Sequence, residues 1–147
     1  PMVCLVVAAH GHLAEGLVAS SAMIVGPSDD VVAVTFDPSE GPDDLLAKYA
    51  AAVEASSSQE YLILVDLFGG SPYNAAARFA AGRDDADVVT GVNLPMVIEV
   101  LSRRLTGAGL AELVEAARTS AVDGVKVLSE VFTPASTTTS DDEGDEL

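Results

Sequence analysis

The chain holds two histidines, His10 and His12, separated by Gly11 and placed directly after the apolar residues 2–9. Much later, Asp66 closes a second apolar run, residues 61–65, and leads into Leu67-Phe68-Gly69-Gly70-Ser71-Pro72. A carboxylate that accepts the Nδ1 proton of an imidazole fixes its tautomer and leaves Nε2 with its lone pair outward. With an ordinary pKa of about 6.5 such an imidazole is mostly neutral near pH 7 and is available as a nucleophile. A glycine turn that feeds a helix adds free backbone N–H groups, which hold anions. His10 as nucleophile, Asp66 as orienting group, and Gly69, Gly70 and Ser71 as cradle are therefore the parts of a phosphoryl acceptor. Lysine and arginine are scarce around these positions, so N–H dipoles and the Ser71 hydroxyl would have to neutralise the phosphoryl group.

Plainer readings use the same residues. His10 could be a hydrogen-bonded loop residue, Asp66 a turn cap, Gly69 to Pro72 a turn with an N-cap, and His12 a surface residue. A His-x-His pair with one distant Asp lacks a second acidic cluster, so no metal and no cofactor are expected. His10, Asp66 and Ser71 also spell a hydrolase triad. The Gly-x-Ser-x-Gly elbow is missing, however, and Pro72 removes the N–H that would complete the usual oxyanion hole. His-Gly-His after the first strand likewise replaces the Gly-x-Gly-x-x-Gly turn of dinucleotide sites.

The elements that position these residues follow from hydrophobic patterning. Residues 2–9, 31–36, 61–65 and 88–92 are too short for helices and too continuously apolar for strands with one wet face, so they read as buried strands. Between them, residues 13–25, 42–55, 72–81 and 95–105 have helical spacing, and residues 110–121 add one more amphipathic helix. The alternation predicts an α/β fold: a doubly wound, mainly parallel sheet of four strands with helices on both faces. Ligands in such sheets bind beyond the carboxyl ends of the strands, where strand order reverses. Residues 124–128 are a short apolar piece that could form a fifth, edge strand. Gly26-Pro27, Pro42, Ser71-Pro72 and Pro95 mark helix ends.

Charge limits the partners. Seven Lys and Arg against 23 Asp and Glu give −16, a field that repels nucleic acid and anionic lipid surfaces. With 49% hydrophobic residues the chain can still bury a core. Residues 1–132 are expected to form one domain and residues 133–147 an acidic, disordered tail. Five acids stand in that tail, leaving 18 against seven basic residues and a core charge of −11. Partners with basic faces are therefore expected at the site. No apolar run reaches the roughly 20 residues of a membrane span, and the start lacks a basic n-region. A cytoplasmic protein is expected, with Cys4 as a small core hydrophobe.

The run Leu64-Val65-Asp66-Leu67-Phe68-Gly69-Gly70-Ser71-Pro72-Tyr73-Asn74-Ala75-Ala76, with Ala9-His10-Gly11 and Gly91-Val92-Asn93-Leu94-Pro95-Met96, resembles the IIA component of the mannose family of the bacterial sugar phosphotransferase system. The likeness covers residues 3–128. It implies a homodimeric phosphocarrier with a mostly parallel sheet, an antiparallel fifth strand exchanged between subunits, and a histidine phosphorylated at Nε2. His10 matches the phosphorylated residue, Asp66 the orienting carboxylate and Ser71 the hydroxyl near the phosphate, while Asn93 and Pro95 match residues lining the same cleft. Residues 125–128 would be the exchanged strand. The implied donor is the phosphocarrier HPr and the implied acceptor a IIB component, with the membrane components IIC and IID as further associates. Some relatives carry IIA and IIB on one chain, so the resemblance implies a separate IIB or a fragment here. The related phosphotransfer subunit of a dihydroxyacetone kinase resembles the same fold and histidine. A regulatory module controlled by phosphorylation is a third possibility.

Overall fold

The computed structural model describes residues 2–132. The expected tail at residues 133–147 lies outside them. In chain order the elements are β1 (Val3–Ala8), α1 (Leu13–Val25), β2 (Val31–Val34), α2 (Pro42–Ala55), β3 (Glu60–Val65), α3 (Ser71–Ala80), β4 (Ala86–Thr90), α4 (Leu94–Leu105), α5 (Leu110–Asp123) and the single turn α6 (Leu128–Val131). The four strands form one sheet in the order β2-β1-β3-β4, with every pair parallel.

Continuous apolar character along β1 and β3 has a direct cause, since both faces of these central strands are covered. Val3, Leu5, Val7, Leu62 and Leu64 pack against α1, α4 and α5. Cys4, Val6, Ala8, Ile63 and Val65 pack against α2 and α3. Each fully buried Leu or Ile contributes about 1.5–3 kcal/mol, so these two strands are the mechanical base from which the loops at their carboxyl ends project.

Helix starts are set by local chemistry. Gly41 caps α2 with Pro42 at the first position, and Asp44 Oδ2 accepts the Gly41 N–H at 2.8 Å. At α3 the cap is Gly70, so Ser71 is the first helical residue rather than the N-cap expected from the Ser71-Pro72 pair. Gly26, with φ of 84°, ends α1 in a backbone conformation that favours glycine. The strand expected at residues 88–92 lies two residues earlier, because Gly91 turns at φ 80° and Val92 N–H reaches back to Val65 O at 3.0 Å.

The fifth strand expected near residues 125–128 does not form within the chain. Among the described residues the sheet has four strands. Val125 N–H donates to Val122 O, and Glu130 and Val131 N–H donate to Val127 O. Local turns thus satisfy these backbone donors, and no ladder is built. Val125, Leu128, Val131 and Phe132 remain exposed, while β4 stands as the sheet edge on the β3 side.

Candidate functional site

β1 and β3 are neighbours at the point where the strand order reverses, with β2 on one side and β4 on the other. His10 follows β1 and Asp66 follows β3, so residues distant in sequence meet at the carboxyl edge of the sheet. Asp66 Oδ2 accepts the His10 backbone N–H at 3.0 Å and lies 2.8 Å from His10 Nδ1. An ionised carboxylate only accepts, so Nδ1 is the donor and carries the proton. Nε2 is left with its lone pair. The His10 side chain is 48% exposed against 15% for Asp66, so the nucleophile is reachable while its orienting group is sheltered. Asp66 Oδ1 is buried without a hydrogen-bond partner.

Gly70 lies against the imidazole. A Cβ at Gly70 would stand 2.8 Å from His10 Cε1 and 3.5 Å from Nε2, so only glycine lets the start of α3 come this close to the ring. Gly69 turns at φ 86°, and its carbonyl accepts Asn74 Nδ2 at 3.1 Å. Gly70 N–H donates to Leu67 O and Asn74 N–H to Gly70 O. Pro72 has no N–H, so Ser71 and Tyr73 supply the free first-turn donors of α3. Beneath this turn the buried Tyr49 donates its hydroxyl to Pro72 O at 2.8 Å. Burial and the nearby Asp66 charge push the Tyr49 phenol well above its ordinary range.

The third wall of the ring is Phe36, whose ring meets the imidazole edge to face, 5.8 Å between centroids at 81°. From the sequence alone Phe36 is the last apolar residue of a strand and Tyr49 an apolar position of the 42–55 helix, with no role at the site for either. For Phe36 the missing information is the strand order: β2 adjoins β1, which brings residues following β2 to the same sheet edge as His10.

No lysine or arginine among the described residues pairs with or hydrogen-bonds to His10 or Asp66. Lys48, Arg78, Arg83, Arg103 and Arg118 are paired with Glu40, Asp43, Asp85, Glu99 and Glu115. His12 faces Glu15 through Nδ1 at 3.0 Å and Asp37 through Nε2 at 3.6 Å. The Glu15 hydrogen bond and charge, with Asp37 adding to them, raise its pKa.

Asn93 and Pro95 stand at the start of α4. Asn93 caps α4, accepting Met96 N–H at 3.0 Å and donating to Ala121 O at 3.1 Å. Pro95 abuts Gly124 at the end of α5. Both fasten α4 to α5. Asn93 also lines a groove beside β4 with Phe68, Tyr73, Val88, Met96 and Val122. Among the described residues, no three His, Cys, Asp or Glu side chains are grouped to hold a metal, and no helix is long and apolar enough to cross a membrane.

Comparison with known proteins adds independent findings. The EIIA-man family model, described as PTS system fructose IIA component, matches residues 4–118. The chain is 37% identical over 147 residues to a PTS system fructose-specific EIIA component of Bacillus subtilis, covering 99% of this chain and all of that one. It is 35% identical over 127 residues to a PTS system mannose-specific EIIAB component of Escherichia coli, covering 86% of this chain and spanning 39% of that longer protein. Among solved structures, a phosphotransferase system component EIIA from Streptococcus agalactiae superposes with a TM-score of 0.81 at 27% identity, covering 88% of this chain and 99% of that one.

Proposed function

Because the chain belongs to the EIIA-man family of sugar phosphotransferase system components, we propose that it carries a phosphoryl group on His10, receiving it from phospho-HPr and passing it to a IIB component. The observation that carries this reading is the double hold of Asp66 Oδ2 on the His10 N–H and Nδ1. It directs Nε2 away from the carboxylate, next to the first turn of α3.

In the forward step the Nε2 lone pair attacks phosphorus in line with the donor's P–N bond. The Nε2–P bond forms as the donor bond breaks, and the donor imidazole leaves with that electron pair. The Nδ1 proton stays between His10 and Asp66, whose carboxylate balances the charge that develops on the ring. Ser71 and Tyr73 N–H groups with the Ser71 hydroxyl hold the equatorial oxygens. Transfer to IIB is the same displacement reversed on a new acceptor. The name of the Escherichia coli relative, an EIIAB component, supports IIB as that acceptor. Because no lysine or arginine among the described residues bonds to His10, the remaining neutralisation falls to basic side chains of the partners, and the chain's net charge of −16 favours their steered approach. The reaction takes place in the cytoplasm.

The working unit in this reading is a homodimer in which residues 125–128 of each subunit pair antiparallel with the partner's sheet. The β4 edge, which has no further strand among the described residues, and the exposed Val125, Val127 and Leu128 side chains support it.

Incubation with phosphoenolpyruvate, enzyme I and HPr tests the reading. The expected result is one phosphoryl group per chain on His10, dependent on HPr and discharged by IIB. Labelling that persists in His10→Ala contradicts it.

A further inference from the structure

An aromatic side chain after a strand is ordinarily core filling, but Phe36 is held in a way that serves the neighbouring imidazole. Its own backbone bridges the histidine loop, with Gly11 N–H donating to Phe36 O at 2.8 Å and Phe36 N–H to Gly11 O at 3.3 Å. Gly11 takes φ of 59°, a conformation suited to glycine, to make this exchange. On one side of Phe36, Lys48 Nζ donates to Thr35 O at 2.7 Å. On the other, Asp37 N–H donates to Glu40 Oε1 at 2.9 Å, and Glu40 is itself paired with Lys48. Three consecutive residues are thus pinned, and the middle one presents its ring to His10.

From this arrangement we infer that Phe36 is a positioning residue for phosphoryl transfer. The imidazole can turn about its side-chain torsions, and only one orientation sets Nδ1 on Asp66 and Nε2 beside α3. Asp66 restrains the ring from Nδ1, Gly70 from Cε1, and Phe36 across the ring by an edge-to-face contact. With Phe36 removed, the hydrogen bond to Asp66 and the close approach of Gly70 to Cε1 are the remaining restraints, the face across the ring is open, and the population presenting Nε2 in line falls. The inference rests on the phosphocarrier reading for its kinetic consequence but not for its structural one.

Phe36→Ala and Phe36→Leu test it on the full chain. Thermal unfolding verifies the fold, and the Leu variant, which keeps apolar bulk, carries the test should the Ala variant fail to fold. With phospho-HPr as donor, Phe36→Ala is expected to lower the maximal rate about tenfold while leaving the half-saturating donor concentration unchanged, and Phe36→Leu to fall between. The same order is expected with phosphoramidate, a donor that needs no protein surface. Imidazole nitrogen NMR is expected to show Nδ1 protonated in the native protein and exchange-averaged nitrogens in Phe36→Ala. Native rates with native nitrogen shifts overturn the inference, as does a slow variant with native shifts. Should neither donor phosphorylate the native protein, the phosphocarrier reading fails, while the nitrogen shifts still decide whether Phe36 positions His10.

Discussion

Two polar clusters occupy opposite ends of the same strands, and they are built to opposite plans. At the amino end, Arg104 is 3% exposed and donates to the carbonyls of Val3 and Asp30 at 3.0 and 2.9 Å, and to Asp29. Asp30 Oδ2 accepts from Ser56 Oγ at 2.7 Å and from Ser58 Oγ, and Ser58 N–H donates to Ser56 Oγ. Burial, reinforced by the Asp30 charge, pushes the Cys4 thiol up to about 11, which leaves it unreactive near pH 7. Nearly every donor and acceptor there is consumed inside the chain. At the carboxyl end, the Asp66 bonds use up one nitrogen of His10 and leave the other open beside unpaired helix donors. A closed cluster fastens the loops before β2 and β3 to β1 and α4; an open one has valence left for a ligand. One buried orphan exists at each end, Arg104 Nε and Asp66 Oδ1, so an orphaned atom alone does not separate the two plans. Exposure of the group it accompanies does.

If that contrast holds, damage at the amino end costs stability without chemistry, and damage at the carboxyl end does the reverse. Arg104→Met removes the guanidinium donor from three carbonyls, of which Asp30 O keeps the Leu5 N–H, and is expected to destabilise the fold by about 3 kcal/mol. Transfer per folded molecule is unchanged, and urea unfolding beside single-turnover kinetics reads both. Gly70→Ala introduces a Cβ where His10 Cε1 stands. Its transfer rate is expected to fall on the order of 10-fold or more, with stability lowered by less than about 1 kcal/mol, since its φ of −79° suits alanine. Combined, the two substitutions should act additively, because they share no partner; coupling between them would erase the distinction.

The smallest effect belongs to His12. Its folded pKa is raised above the unfolded value by Glu15 and Asp37. The stability it contributes is therefore fully present below the unfolded pKa of about 6.5 and lost as pH rises through the folded value. The stability gap between the native protein and His12→Gln should narrow as pH rises from about 6.5 through the raised folded value. A gap constant with pH would mean that His12 is held by packing alone.

How far the sequence was legible depended on how local each cause was. Continuous apolar runs revealed β1 and β3 because burial on both faces is written into every residue of a central parallel strand. His10, Asp66 and Gly70 were legible because strand ends followed by glycine turns define one edge of the sheet. Phe36 was not, since its contact with His10 depends on β2 lying beside β1. Arg103 and Arg104 show the limit most plainly. They are adjacent basic residues near the end of one helix, yet Arg103 is exposed and paired with Glu99 while Arg104 is buried among carbonyls. Helical phase relative to the rest of the fold separates them, and local composition carries no trace of it. Residues 125–128 have strand-like apolar content, but a ladder also needs a partner edge, and within the chain local turns instead engage the Val125 N–H and the Val127 carbonyl. Asn93 and Pro95 lie beyond β4 as the strand reading implied, and each also meets α5 or its end, a contact that local spacing does not show.

Nitrogen-phosphorus NMR on the phosphorylated, 15N-labelled protein tests the open-cluster account most directly. The account predicts a single phosphorus-coupled nitrogen, Nε2 of His10, with Nδ1 of the same ring still protonated against Asp66 and His12 unmodified. Phosphorus on Nδ1 of His10, or on either nitrogen of His12, would contradict it.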